Sequence, residues 1–170
     1  GTFLVGFKGF MHASVAPAGA YEIAVTAKKW AWSFTYPNGA TTDELHFPAG
    51  KPVKLVMSSQ DVLHSFYIPE FRIKNDVIPG TYSSVWFEST DPVKAGETHE
   101  YDILCTEYCG TTHSGMLAKA FAHEDGDFKE WLDKSGNEGA GVPPEKYGEE
   151  LYPKAPCNTC HSTDGRRIIG

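Results

Sequence analysis

Short runs of alternating apolar and polar residues recur over most of the chain. Alternation with a period of two places every second side chain on one face, which predicts β-strands. Turn residues such as Pro37-Asn38-Gly39 and Pro79-Gly80 separate the runs. Many short strands with little helical period predict an all-β fold, either an antiparallel sandwich or a Greek-key barrel. The predicted strands cover residues 21–27, 29–36, 43–47, 51–58, 64–68, 82–88, 98–104 and 117–122.

One predicted strand carries aromatic residues at every second position. Trp30, Trp32, Phe34 and Tyr36 would lie on one face of a strand over residues 29–36. Such a stripe belongs in a hydrophobic core, and the other interpretation is that one tryptophan faces a cofactor.

The two ends of the chain differ in character from the strands. Residues 1–20 show little pattern and open without methionine on an apolar stretch, so we expect a lead-in that follows a removed membrane anchor. A β domain is predicted over 21–134, with a short helix at its end, and the Gly-rich residues 135–142 indicate a linker. A Pro-Pro-Glu start then predicts a helix within a second unit over 143–170, so the fold gains a short C-terminal helical extension.

Composition limits the possible partners. The chain has 170 residues, and its 41% hydrophobic content is enough for a packed core. A formal net charge of -7 argues against a nucleic-acid partner and favours a basic one. The sequence has no apolar run of the roughly 18 residues that a membrane span requires.

The residues from Cys105 to Met116 concentrate metal-binding side chains. Cys105, Cys109, His113 and Met116 fall within twelve residues, and the strand predicted over 64–68 could deliver His64 to them. Soft ligands of this kind select copper or zinc over magnesium or calcium. A tetrahedral zinc site and a disulfide between the two cysteines are two interpretations of the pattern.

A pair of coppers is the third interpretation and the favoured one. Met116 is a poor zinc ligand but is typical of the weak axial ligand in copper sites. Zinc sites more often use a Cys-x2-Cys spacing. Since a mononuclear blue-copper site needs only one cysteine, the second cysteine favours a second metal.

A second motif lies near the end of the chain. Cys157, Cys160 and His161 form Cys-x-x-Cys-His, which is typical of c-type haem attachment through two thioethers and a proximal histidine. Every methionine lies in the first domain, so no distal methionine ligand follows the motif. We therefore expect haem c to be incompletely held by these residues.

The ligand motif Cys-x-Glu-x-Cys-Gly-x-x-His-x-x-Met closely resembles subunit II of haem-copper cytochrome c oxidases. The resemblance includes an upstream Asp-Val-Leu-His-Ser and a Trp-x-Trp strand, and it covers roughly residues 10–132. It implies a cupredoxin-like fold that carries the binuclear copper centre CuA. In such a centre Cys105 and Cys109 would be the bridging ligands, and His64 and His113 the terminal ligands. Met116 and the backbone carbonyl of Glu107 would be the weak axial ligands.

The resemblance also implies roles outside the copper ligands. The Glu107 side chain would bind magnesium at the contact with the catalytic subunit I, and Trp30 would receive electrons from cytochrome c. Asp61 would help to dock a basic donor. The haem motif is similar to the start of the cytochrome c domain that is fused to caa3-type subunits II. Such a protein lies on the periplasmic or outer face of a bacterial membrane, held there by N-terminal helices.

The function implied is electron transfer. The chain would pass single electrons from a c-type cytochrome, fused or separate, through CuA to the catalytic subunit that reduces dioxygen. It would be an enzyme only as subunit II of the oxidase. The CuA domain of a nitrous oxide reductase is a second candidate, disfavoured by Glu107, where that family has an aromatic residue, and by the haem motif. A zinc-stabilised β module or a copper carrier is a third.

Overall fold

The computed structural model describes residues 1–137, 143–152 and 162. Contacts divide the chain into two units, Gly1–Gly136 and Asn137–Gly170. In the described part no helix is both long and apolar enough to cross a membrane. The first unit contains helices α1 (Thr2–Ser14) and α2 (Asp125–Gly136) with strands β1 (Tyr21–Lys28), β2 (Ala31–Thr35), β3 (Thr41–Thr42), β4 (Leu45–Pro48), β5 (Val53–Ser59), β6 (His64–Ile68), β7 (Ile73–Val77), β8 (Ser83–Phe87), β9 (Thr98–Cys105) and β10 (Leu117–His123).

The strands form two five-stranded sheets that enclose one core. Their orders are β3-β2-β1-β5-β8 and β4-β10-β9-β6-β7. The predicted all-β sandwich is therefore confirmed, but the prediction that its sheets are antiparallel is only partly right. β1 pairs in parallel with β5, and β10 pairs in parallel with β4. The chain leaves β1 and β2, crosses to the other sheet at β4, and returns on the free side of β1 as β5.

Period-two alternation places the apolar side chains between the sheets. In β5 the residues alternate between buried and partly buried along the whole strand. In β2 the side chains of Trp32 and Phe34 are buried, as is Tyr36 just after the strand. Burying an aromatic side chain contributes about 1.5–3 kcal/mol, so this stripe is a major part of the core. Trp30 precedes β2 and is only partly buried, so the prediction that all four aromatics share one strand face is wrong for Trp30.

Two helix predictions need correction. Residues 1–20 were expected to lack pattern, but α1 forms there, with Phe3, Phe7 and Phe10 at helical spacing and none of its residues buried. Two glycines inside α1 weaken the helical signal in the sequence. α2 continues to Gly136, so the first two residues of the predicted linker are helical. Asn38 stabilises this end because its side-chain amide donates to the Leu132 carbonyl at 2.8 Å.

In the second unit the structure describes helix α3 (Pro144–Leu151), which begins at the predicted proline pair. Cys157, Cys160 and His161, the predicted haem motif, lie outside the described residues. The haem assignment therefore stays a prediction.

Candidate metal centre

The loop between β9 and β10 carries most of the candidate ligands. These strands pair as an antiparallel hairpin in which Leu104 lies opposite Leu117. Cys105 is the last residue of β9, and its backbone N–H donates to the Met116 carbonyl at 3.3 Å. A single 3-10 turn, His113–Gly115, leads back to the sheet. The two ends of the loop are thus hydrogen-bonded to each other, which restricts the positions of the side chains between them.

β6 brings His64 to this loop from the neighbouring position in the sheet. β6 pairs with β9 so that Phe66 lies opposite Cys105, and the Thr106 N–H donates to the Ser65 carbonyl at 2.9 Å. The His64 side chain is fully buried. The imidazole is therefore held by a paired strand on one side and by the core on the other.

The structure brings every predicted copper ligand together around the two sulfur atoms. The two cysteine Sγ atoms are 3.9 Å apart, and each sulfur has one histidine Nδ1 beside it. The remaining donors lie at similar distances from one sulfur or the other. The distances are 3.8 Å for His64 Nδ1 to Cys105, 3.4 Å for the Glu107 carbonyl to Cys105, 3.5 Å for His113 Nδ1 to Cys109 and 3.8 Å for Met116 Sδ to Cys109.

This geometry separates the three interpretations of the cysteine pair. Both cysteines are free, and 3.9 Å is far longer than the roughly 2.05 Å of a disulfide. A tetrahedral zinc ion would hold four ligand atoms within about 4 Å of one another. Within the described part of the chain, the ligand atoms that lie within 4.8 Å of one another belong to His64, Cys105 and Cys109, and His113 is not among them. The donors extend along the sulfur pair, which suits two metal ions.

The electrostatics of the sulfur pair favour a bound cation. Burial, and next the neighbouring Cys105, raise the pKa of the Cys109 thiol to about 11. Two thiolates side by side in a buried site would repel each other and lack solvation. Positive charge between them offsets both costs, and buried sulfur and imidazole donors match copper in softness.

Asp61 makes a contact with His64 that the sequence interpretation missed. Asp61 Oδ1 lies 2.9 Å from His64 Nε2, and its Oδ2 accepts from the Lys29 backbone N–H at 2.7 Å. Burial opposes ionisation of Asp61, but hydrogen bonds from His64, Lys29 and Val62 lower its pKa to about 2. A carboxylate only accepts hydrogen bonds, so this contact favours the tautomer of His64 that has its proton on Nε2 and a lone pair on Nδ1. The three-residue spacing of Asp61 and His64 was the signal available in the sequence.

Both tryptophans of the Trp-x-Trp pattern contact the centre. A Cβ added at Gly110, whose φ is +126°, would lie 3.2 Å from Trp30 Cζ2, so the indole lies directly on the ligand loop. Trp32 contacts His64 edge to face, with 6.1 Å between the ring centroids. Trp30 also lines an open cleft with Asp43, Glu44, Asp102 and Lys119 among its other residues.

Another part of the ligand loop is more exposed. Glu107 is partly buried, and its neighbour Tyr108 is 73% exposed. The Tyr108 ring lies against His113 at a tilt, with 5.8 Å between the centroids. Sequence interpretation did not select Tyr108, although its place between Glu107 and Cys109 was the available signal.

Known proteins with the same sequence pattern and fold identify this centre's family. Residues 40–120 match the family model of the cytochrome c oxidase subunit II periplasmic domain. Over these residues the chain therefore carries a domain of the cytochrome c oxidase subunit II family. It is 33% identical over 150 residues to the alternative cytochrome c oxidase subunit 2 of Bradyrhizobium diazoefficiens, and 40% identical over 110 residues to the subunit 2 of Thermostichus vulcanus. These alignments cover 69% and 64% of this chain but only 52% and 32% of the relatives.

Solved structures of subunit II share the fold. The periplasmic domain of subunit II (CoxB) of Bradyrhizobium japonicum superposes with a TM-score of 0.65 at 27% identity, over 71% of this chain and 96% of that one. A second structure, in which subunit II forms a mixed disulfide with a thioredoxin-like protein, has a TM-score of 0.61 at 26% identity, over 72% and 94% of the two chains. The cupredoxin-like sandwich is thus the fold of the family, and membership implies copper binding at the His-Cys-Cys cluster.

Proposed function

We propose that this chain is the electron-transfer module of a haem-copper terminal oxidase. The supporting observation is the row of donors along the sulfur pair, with an imidazole at each end and a thioether and a carbonyl beside it. In this proposal Cys105 and Cys109 would hold two coppers between them, with one further histidine ligand each from His64 and His113. Met116 and the Glu107 carbonyl would be the weaker ligands. The nitrous oxide reductase alternative is not favoured, because the relatives reported above are oxidase subunits II.

The fold suits a centre that accepts and releases electrons without rearrangement. A pair of coppers bridged by thiolates supplies a one-electron carrier whose charge is shared between two metals. The chain keeps the ligand positions fixed, because the loop ends are hydrogen-bonded and β6 and β9 are paired. The sulfurs and His64 are buried, which excludes water from the ligands. A ligand set that moves little on reduction lowers the reorganisation needed for transfer.

Electrons would arrive at the Trp30 cleft and leave past the exposed side of the loop. Trp30 lies against Gly110, next to the ligand Cys109, and acidic residues border its cleft, which suits a basic c-type cytochrome. Glu107 and His113 would face the catalytic subunit I, with magnesium at the Glu107 carboxylate. The fused cytochrome c of a caa3-type oxidase, with haem c at Cys157, Cys160 and His161, would be the donor on the same chain. The intact protein would be anchored in a bacterial membrane.

Loading requires both thiols to be reduced. Cys105 and Cys109 are close enough to oxidise to a disulfide after a small movement, and the disulfide would not bind metal. A related subunit II forms a mixed disulfide with a thioredoxin-like protein. We include a thioredoxin-like reductant among the partners of this chain, acting on this cysteine pair before copper binds.

Copper titration of the reduced protein tests the proposal. We expect two coppers per chain, a purple protein, and an EPR signal from one electron shared by two coppers. Cys109→Ser should abolish that signal, whereas the matched Cys160→Ser should keep it, because Cys160 is not among the proposed copper ligands. A colourless protein that retains one zinc per chain, or an unchanged signal in Cys109→Ser, would contradict the proposal. A haem stain on the denatured full chain tests the Cys-x-x-Cys-His motif separately.

A further inference from the structure

Both oxygens of the Asp61 carboxylate are engaged with different parts of the chain. Oδ1 lies 2.9 Å from His64 Nε2 and accepts from the Val62 N–H at 2.6 Å. Oδ2 accepts from the Lys29 N–H at 2.7 Å. The Ser59 hydroxyl also lies 3.4 Å from Oδ1 and accepts from the Asp61 backbone N–H at 3.2 Å. Asp61 is therefore part of a structured network, although its side chain is 31% exposed.

The network joins the two flanks of the metal centre. His64 is the first residue of β6. Lys29 precedes Asp61 by 32 residues and lies in the turn that positions Trp30. Trp30 in turn lies against Gly110 of the ligand loop. Three contacts thus connect His64, Asp61, the Lys29–Trp30 turn and the loop in one continuous path.

We propose that Asp61 is a positioning residue that sets the tautomer of His64 and fixes the turn that holds Trp30 on the ligand loop. Its Oδ1 keeps the proton on His64 Nε2, so Nδ1 presents its lone pair towards Cys105, 3.8 Å away. Its Oδ2 holds the Lys29 amide and so the neighbouring indole. The metal-binding consequence rests on the proposed function, whereas the tautomer and the Trp30 contact are properties of the metal-free chain.

A role for Asp61 in docking a basic donor makes a different prediction. Docking depends on the negative charge, so Asp61→Asn and Asp61→Ala would act alike. Positioning depends on the hydrogen bonds, so the two variants would differ. In Asp61→Asn the amide oxygen can take the place of Oδ1 for His64, while its NH₂ faces the Lys29 N–H, donor against donor. The asparagine variant should keep the histidine contact and lose the turn contact.

The first test uses nitrogen NMR of the metal-free, reduced protein. We expect the His64 ring to be protonated at Nε2 in the wild type and in Asp61→Asn, and to populate both tautomers in Asp61→Ala. The Trp30 indole N–H signal, assigned with Trp30→Phe, should shift in both variants. Asp43→Ala is the matched control, because Asp43 is an exposed acid in the Trp30 cleft. It should leave both signals unchanged.

Unchanged indole signals from Trp86 and Trp131 will show that each variant is folded, and Asp61→Asn carries the test if Asp61→Ala does not fold. A wild-type tautomer in folded Asp61→Ala, or the loss of that tautomer in Asp61→Asn, would overturn the proposal. So would a Trp30 signal that shifts equally in Asp43→Ala.

Copper affinity gives a second readout. Loss of a partner behind a metal-binding histidine typically weakens binding about 10- to 100-fold. We expect a loss of that size in Asp61→Ala and a smaller one in Asp61→Asn, measured by competition with a chelator. Equal losses in the two variants would contradict positioning. If the wild type fails to bind two coppers, the proposed function fails, while the NMR result still decides the role of Asp61 in the metal-free chain.

Discussion

His46 should make the stability of the first unit depend on pH. Its imidazole is stacked between Trp131 of α2 and Phe121 of β10, with 4.0 Å and 5.0 Å between ring centroids. His46 Nδ1 is 2.8 Å from His123 Nε2, so one ring donates to the other. Burial, and next the repulsion from His123, lower the pKa of His46 from 6.5 to about 4. The exposed Glu44 carboxylate, 3.7 Å from His46 Nε2, does not reverse this direction.

The direction and size of this change in the free energy of unfolding follow from proton uptake on unfolding. The folded state keeps His46 neutral between pH 6.5 and about 4, whereas the unfolded chain protonates it there. The contribution of the neutral His46 to the free energy of unfolding is therefore complete above pH 6.5 and is lost as the pH falls towards 4. For these two pKa values the loss between pH 8 and pH 5 is about 2 kcal/mol. His123, whose pKa burial also lowers, acts in the same direction.

Urea unfolding of the metal-free protein at pH 8 and pH 5 measures this loss, with tryptophan fluorescence as the signal. His46→Phe is the matched variant, because phenylalanine keeps the stacking and cannot be protonated. We expect the pH-dependent loss in His46→Phe to be smaller than in the wild type by about 2 kcal/mol. If the two losses agree within about 0.5 kcal/mol, the buried neutral imidazole is not the cause.

Three further substitutions test the packing around the centre. Phe66→Ala removes a buried ring that packs on Trp32 at 5.2 Å and should lower the free energy of unfolding by about 3–5 kcal/mol in urea. Gly110→Ala should cost about 1–3 kcal/mol because of its positive φ, and it should displace the Trp30 indole signal in NMR; an unshifted signal would contradict the contact. Asn38→Ala should cost about 1 kcal/mol and speed amide exchange at the end of α2; unchanged exchange would refute the proposed stabilisation.

Local pattern predicted the strands that face the core and failed for the elements that depend on neighbours. The strand predicted over 64–68 has the observed bounds, and the one predicted over 51–58 forms as β5, where burial of one face dictates the register. β7 contains Lys74-Asn75-Asp76 and carries no strand signal. It forms because β6 pairs with it and because β8 bonds to it. The Asn75 side-chain amide donates to the Ser84 carbonyl, and the Ser83 hydroxyl donates to the Asp76 carbonyl. Such partners are distant in sequence and invisible to local periodicity.

The candidate site divides in the same way. The ligands were predictable because a loop of twelve residues holds five of the six donors, so their spacing alone indicates a metal. The Lys29–Asp61 hydrogen bond and the His46–His123 pair were not predicted, since each joins residues that only the folded sheets bring together.

The β9–β10 hairpin has a consequence for the order in which the protein assembles. Its two strands are adjacent in sequence, so the hairpin can close early and already present five donors. The sixth, His64, comes from 41 residues before Cys105 and arrives only when β6 pairs with β9. Completion of the ligand set therefore reports long-range folding. The same compact loop could be transferred to another β-sandwich that has a histidine at the matching place on a neighbouring strand.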